Sequence, residues 1–247
     1  EEVIDATGCY LLPGIIDDHV HFRDPGLTHK ADILTESRAA AAGGVTSIMD
    51  MPNTNPLTVT LDALNAKLDL LNEKCIVNHS CYFGATNNNY TEFDKLDKHR
   101  VCGIKLFMGS STGNMLVDKM NSLLNIFNGT DMLIAAHCED QETIKNNIEK
   151  YKQKYKGADD IPVSAHPSIR SVPACYASSE LAVRLAKIAG ARLHILHVST
   201  AKELQLFSDE PLANKNITAE ACVAHLLFTL THYNSLGARI KCNPAVK

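Results

Sequence analysis

The chain has 247 residues, 45% of them hydrophobic and 21% charged, with a formal net charge of -4 at pH 7. These are ordinary statistics for a globular chain able to bury one core of α/β-barrel size. No run of Lys and Arg is available to neutralise phosphates, which removes nucleic acid from the expected partners, and no apolar run reaches the roughly 18 residues of a membrane span. Eight cysteines, at 9, 75, 81, 102, 138, 175, 222 and 242, form neither a CxxC pair nor a dense framework. That spread is expected of reduced thiols in a cytoplasmic enzyme.

In chain order, residues 1–10 read as a strand and turn, and 1–11 as the end of a small β-sandwich segment. Residues 12–247 read as one barrel domain. Short β-rich apolar runs at 12–22, 45–51, 75–83, 102–108, 132–137, 192–198 and 217–222 alternate with segments of helical period near 31–42, 61–72, 119–127, 141–154, 178–189 and 201–207. This alternation predicts an α/β fold of (β/α)8 TIM type, with its active site at the C-terminal ends of the strands. Seven βα units are present, so the eighth strand is expected beyond Lys247, in a longer parent protein.

Polar residues punctuate the predicted strand ends. In Asp17-Asp18-His19-Val20-His21 two imidazoles stand at i and i+2, on one face of a strand and able to share a metal. His137 and His197 close two further strands. A lone histidine at such a place is more often a capping or core residue, whereas four at the ends of three strands point to metal binding. Lys105 lies within the apolar strand Cys102-Gly103-Ile104-Lys105-Leu106-Phe107-Met108, where a charged ammonium is costly to bury. Burial would favour the neutral amine, which could add carbon dioxide and become an anionic carbamate. Alternatively, Lys105 snorkels to the strand end and pairs with an acid. The residues leave both readings open.

Taken together, the segments Pro13-Gly14-Ile15-Ile16-Asp17-Asp18-His19-Val20-His21-Phe22-Arg23-Asp24-Pro25-Gly26, Gly43-Gly44-Val45-Thr46, Met51-Pro52-Asn53-Thr54-Asn55-Pro56, Gly103-Ile104-Lys105, Ala136-His137-Cys138-Glu139-Asp140, His197-Val198-Ser199-Thr200 and Cys242-Asn243-Pro244 resemble the amidohydrolase superfamily, and within it the dihydroorotases. The match runs through nearly the whole chain in the family order. The resemblance implies two zinc ions, with His19 and His21 on the first, His137 and His197 on the second, and carboxylated Lys105 and a hydroxide bridging them. It also implies a general acid/base aspartate on the eighth strand, beyond Lys247, so no catalytic proton carrier is expected within 1–247. The implied reaction is the reversible hydrolysis of dihydroorotate to N-carbamoyl-aspartate in pyrimidine biosynthesis.

Substrate choice rests on Arg23, two residues beyond the His-x-His pair, whose planar guanidinium fits the carboxylate that dihydroorotate carries and hydantoins lack. The bland alternative is a surface ion pair with Asp24 or Asp18. Asn53 and Asn243 match family positions that help hold the substrate, while turn chemistry near proline accounts for them equally. The glycine-rich stretch 108–114 lacks the Gly-Lys-Ser/Thr ending of a phosphate loop and reads as a mobile loop over the barrel mouth. His225, near the end of the seventh strand, matches a family histidine and stays outside the expected metal set. Rival readings are an allantoinase or hydantoinase with the same metal set, and an inactive structural partner of aspartate transcarbamoylase. The expected partner is the small-molecule substrate dihydroorotate, without nucleic acid or membrane, and with a homodimer as the assembly to test.

Overall fold

The computed structural model describes residues 3–109, 115–157, 159 and 161–247. Seven strands, β1 (Ile15–Val20), β2 (Val45–Asp50), β3 (Asn78–Gly84), β4 (Val101–Phe107), β5 (Ile134–His137), β6 (Leu193–Ile195) and β7 (Ile217–Ala219), form one sheet in sequence order. Every neighbouring pair is parallel. The helices are α1 (Ile33–Ala42), α2 (Leu61–Lys74), α3 (Met120–Asn128), α4 (Gln141–Lys154), α5 (His166–Ile169), α6 (Val172–Ala189), α7 (Val223–Leu227) and α8 (Tyr233–Leu236). The result is a (β/α)-barrel sheet with β1 and β7 as its two edges.

Strand alternation sorts the side chains into two layers. Phe83, Ile104, Leu106, Ile134 and Ile195 pack in one cluster with Leu64, Leu68 and Leu71 of α2, Ile126 and Phe127 of α3, and Val183 and Ala186 of α6. Each such side chain withdrawn from water contributes about 1.5–3 kcal/mol. The opposite face carries a smaller cluster of Met51, Tyr82, Ala135 and Leu196, and on this face the register aligns Gly84, Lys105, Ala135 and His194 across β3 to β6. Gly103 allows the close strand approach beneath Lys105, because a Cβ there would lie 2.6 Å from the Leu133 carbonyl oxygen.

Helix starts follow from local chemistry. Asp32, Thr60 and Asp140 cap α1, α2 and α4, each side-chain oxygen accepting from a backbone N–H three residues on. α6 begins at Val172, six residues earlier than its periodicity predicts, because Pro173 suits a first helical turn, where no N–H is needed. The third strand starts at Asn78 rather than 75, since α2 runs on to Lys74 and Cys75 closes it. Residues 201–206 form 3-10 turns rather than an α-helix. The strand expected in 1–10 is absent from residues 3–10, which hold only a turn at Thr7–Gly8. Val3, Ile4, Tyr10, Leu11 and Leu12 are each at least 75% exposed and pair with no strand among the described residues. Of the glycine-rich stretch, residues 110–114 lie outside the described residues. No helix is long and apolar enough to cross a membrane among the described residues.

One wholly buried ion pair joins the α2 layer to the sheet. Lys67 Nζ lies 2.8 Å from Asp50 Oδ2 and also donates to the Met51 carbonyl, while Asp50 Oδ1 accepts the Phe22 N–H at 2.9 Å. The pair therefore ties the end of β2 to the chain leaving β1. Lys67→Met should destabilise the fold by about 3–5 kcal/mol, because it strands a buried carboxylate. Removing both charges in Asp50→Leu/Lys67→Met should cost less, a ranking that urea denaturation midpoints would check.

Candidate active site

At the C-terminal ends of the strands lies a cavity of about 440 Å³ lined by His19, His21, Arg23, Asn53, Lys105, His137, His197 and Asn243. The fold thus gathers in one place every residue singled out from the sequence. Phe107, Cys222, His225 and Cys242 complete much of the wall. A separate cavity of about 330 Å³, between Gly190 and Ile217, contains no comparable group of imidazoles or acids.

His19 stands in β1 and His21 just beyond it, on the same face, with ring centroids 5.4 Å apart. His137 closes β5, and its Nδ1 lies 2.8 Å from His197 Nε2. His197 is not in a strand. It lies two residues past β6 with φ 40, a left-handed conformation that strains a side chain with a Cβ, and it brings its ring within 5.2 Å of His19. Arg23 also lies outside its strand: β1 ends at Val20, and a φ of 65 at Arg23, rather than continued strand alternation, delivers it to the cavity.

Burial governs the electrostatics. Desolvation, reinforced by the Arg23, His19 and Lys105 charges, drives the His21 imidazole well below its ordinary range. Burial followed by the neighbouring charges of His137 and Lys105 does the same to His197, and burial also lowers His137. These rings are therefore neutral donors. Lys105 is 1% exposed and has no carboxylate ion pair among the described residues, so the snorkelling alternative fails. Desolvation brings its amine down to about 7, and its Nζ sits 4.5 Å from the Phe107 ring centroid. Arg23 likewise has no acid partner among the described residues: Asp24 pairs with Lys74 at 3.0 Å, and the nearest imidazole to Asp18 is His194 at 3.8 Å.

Three supporting groups were not evident from the sequence. Glu139 is fully buried, accepting from His137 Nε2 at 3.0 Å and from the Arg170 guanidinium. Burial raises its carboxyl, but His137 and Arg170 outweigh that effect and hold it below the usual range. His166 Nε2 lies 3.1 Å from Asn243 Oδ1 and 2.8 Å from the Cys242 carbonyl oxygen. Glu220, just past β7, faces His19, His194 and the His197 backbone. A carboxylate two residues after His137 was a visible signal, whereas Arg170, His166 and Glu220 meet the site only through the fold. His225 lies in α7, with its Nε2 2.9 Å from the Pro244 carbonyl oxygen.

The donor set fits divalent metals. Four imidazoles, at least three of them kept neutral by burial, converge on one cavity, and His197 Nδ1 is buried without a hydrogen-bond partner. The tightest ligand clusters among the described residues instead lie at the junction of β1 and β7: His19, Glu220 and Cys222, and Asp18, His194 and Glu220. The histidine set is the better site, because hydrogen bonds with His19 and His194 already occupy the Glu220 oxygens. Asn53 Oδ1 is also buried and unpartnered.

The family model described as Dihydro-orotase-like matches residues 8–203. A dihydroorotase of Methanosphaera stadtmanae is 32% identical over 254 residues, which cover 100% of this chain and 56% of that protein. An allantoinase of Deinococcus radiodurans is 29% identical, covering 100% of this chain and 55% of that protein. Among solved structures, an L-hydantoinase (dihydropyrimidinase) from Arthrobacter aurescens superposes with a TM-score of 0.90 at 28% identity, covering 98% of this chain and 54% of that one. The chain spans about half the length of these relatives.

The buried amine has a measurable signature. Between about pH 7 and 10.4, Lys105 is neutral when folded and protonated when unfolded, so its contribution to stability increases with pH by about 1.4 kcal/mol per unit. In chelator-treated, CO2-free protein, the stability difference between wild type and Lys105→Met, taken from denaturant curves at pH 7.5, 8.5 and 9.5, should move by that slope in favour of the wild type.

Proposed function

The chain belongs to the dihydro-orotase-like family of cyclic amidohydrolases, and from that premise we propose that it forms the catalytic barrel of a dihydroorotase. The observation that carries this reading is Arg23, a cavity-lining guanidinium without an acid partner among the described residues, next to four imidazoles. A bidentate contact from its planar fork would seat a substrate carboxylate. The unpartnered Asn53 Oδ1 would accept a ring N–H, and Asn243, held by His166, would close the opposite side.

On this reading His19 and His21 would hold one zinc ion, and His137 and His197 would hold the other. Lys105 would bridge them after its neutral amine attacks carbon dioxide: a new N–C bond forms, one C=O electron pair moves to oxygen, and the amine proton leaves to solvent. Glu139, locked by Arg170, would orient His137 through Nε2. When bound, two divalent ions polarise an amide carbonyl and lower the pKa of water, which is the chemistry needed to open an unstrained ring at neutral pH. Hydrolysis adds water across the ring C–N bond and delivers one proton to the departing nitrogen. We assign that transfer to the strand-end aspartate that the family resemblance implies.

The allantoinase and hydantoinase relatives favour a second reading, in which the same centre opens a ring without a carboxylate. The two readings separate on Arg23. With full-length, zinc-loaded protein in bicarbonate, dihydroorotate and carbamoyl aspartate should interconvert, while allantoin and hydantoin turn over poorly. Arg23→Met should lower kcat/KM for dihydroorotate about 100-fold or more, since one member of a buried charge pair is lost, and leave any hydantoin turnover nearly unchanged. Preference for allantoin or hydantoin in the wild type would sink the dihydroorotase assignment. Lys105→Met should lower the zinc content below two per chain by elemental analysis.

A further inference from the structure

We infer that Glu220 is a positioning residue whose single carboxylate aligns an imidazole from each half of the proposed metal centre. The inference rests on the reading of His19 and His197 as ligands. Oε1 of Glu220 lies 2.5 Å from His19 Nδ1 and accepts the His197 backbone N–H at 2.9 Å. The same oxygen therefore reaches β1 on one side and the segment after β6 on the other. Oε2 faces His194 Nε2 at 3.3 Å, and His194 Nδ1 is held 2.7 Å from the Thr218 hydroxyl.

Glu220 is itself fixed in place. Its N–H donates to the Ile195 carbonyl at 3.0 Å and its carbonyl accepts the Val198 N–H at 2.8 Å, so the end of β6 and the segment after it hold its backbone. The carboxylate has two consequences. A carboxylate facing His19 Nδ1 requires the proton on that nitrogen, which leaves the Nε2 lone pair for the cavity. The bond to the His197 N–H supports the left-handed backbone that turns this ring toward His19 and His137. A glutamine here would keep one acceptor oxygen but lose the negative charge that faces the His19 and His194 imidazoles.

The test uses the full-length protein with Glu220→Ala, Glu220→Gln and His19→Asn. In metal-free wild type, side-chain 15N NMR should show His19 protonated on Nδ1; in Glu220→Ala it should move to the Nε2–H form that imidazoles favour in water. Zinc affinity should fall about 10–100-fold in Glu220→Ala, with two ions still bound at saturation, and by less in Glu220→Gln, which keeps an acceptor oxygen and controls for folding. The cobalt-substituted visible spectrum should shift in both. An unchanged His19 tautomer and unchanged affinity in Glu220→Ala would overturn the inference. So would loss of one ion at saturation, which would make Glu220 a ligand. Metal binding that survives His19→Asn would instead sink the ligand reading, a failure visible separately from any effect at Glu220.

Discussion

A parallel strand must send successive side chains to opposite faces, and the organisation of this protein depends on that constraint. Ile104 and Leu106 point to the helix layer and are fully buried there. Lys105 between them is thereby sent to the other face, with no choice about its surroundings. The hydrophobic burial that stabilises the sheet therefore also places an amine where water cannot solvate its charge, and its lowered pKa follows from packing. The alternation also puts His19 and His21 on the cavity side and, across the sheet, sets His137 opposite Phe107.

Where alternation ends, buried polar groups take over. Arg23 and His197 both lie beyond their strands, and both reach the cavity through left-handed backbone. Each is supported by a carboxylate on a neighbouring element: Asp50, backed by Lys67, fixes the Phe22 N–H just before Arg23, and Glu220 fixes the His197 N–H. Such backbone persists when surrounding bonds over-determine it. Glu139 with Arg170 acts differently, holding the ring of strand-borne His137. The cavity wall thus consists of strand-borne groups and of loop-borne groups tied to nearby acids.

The seven strands and the core helices were legible because hydrophobic period directly records which face is buried. Boundaries were less so. Pro173 moved a helix start by six residues, and the apolar residues 3–12 pair with no strand among the described residues. The His-x-His pair, His137 and Lys105 were visible because strand ends and strand interiors are local features. Arg170, His166 and Glu220 were not, because each meets its partner across a large sequence separation: 31 residues for Arg170 and Glu139, 77 for His166 and Asn243, 201 for Glu220 and His19.

The sequence by itself determined the fold class, the order of the strands and which ionisable residues stand at their ends, since these follow from local periodicity and side-chain chemistry. Only the tertiary structure decided that eight separated residues share one cavity, that Lys105 has no acid beside it among the described residues, and that Asp50, Glu139 and Glu220 hold residues of the cavity wall or their neighbours. The physical reason is range. Alternation and capping act over a few residues, whereas desolvation and hydrogen bonding between side chains depend on which distant segments the curved sheet brings within about 3 Å.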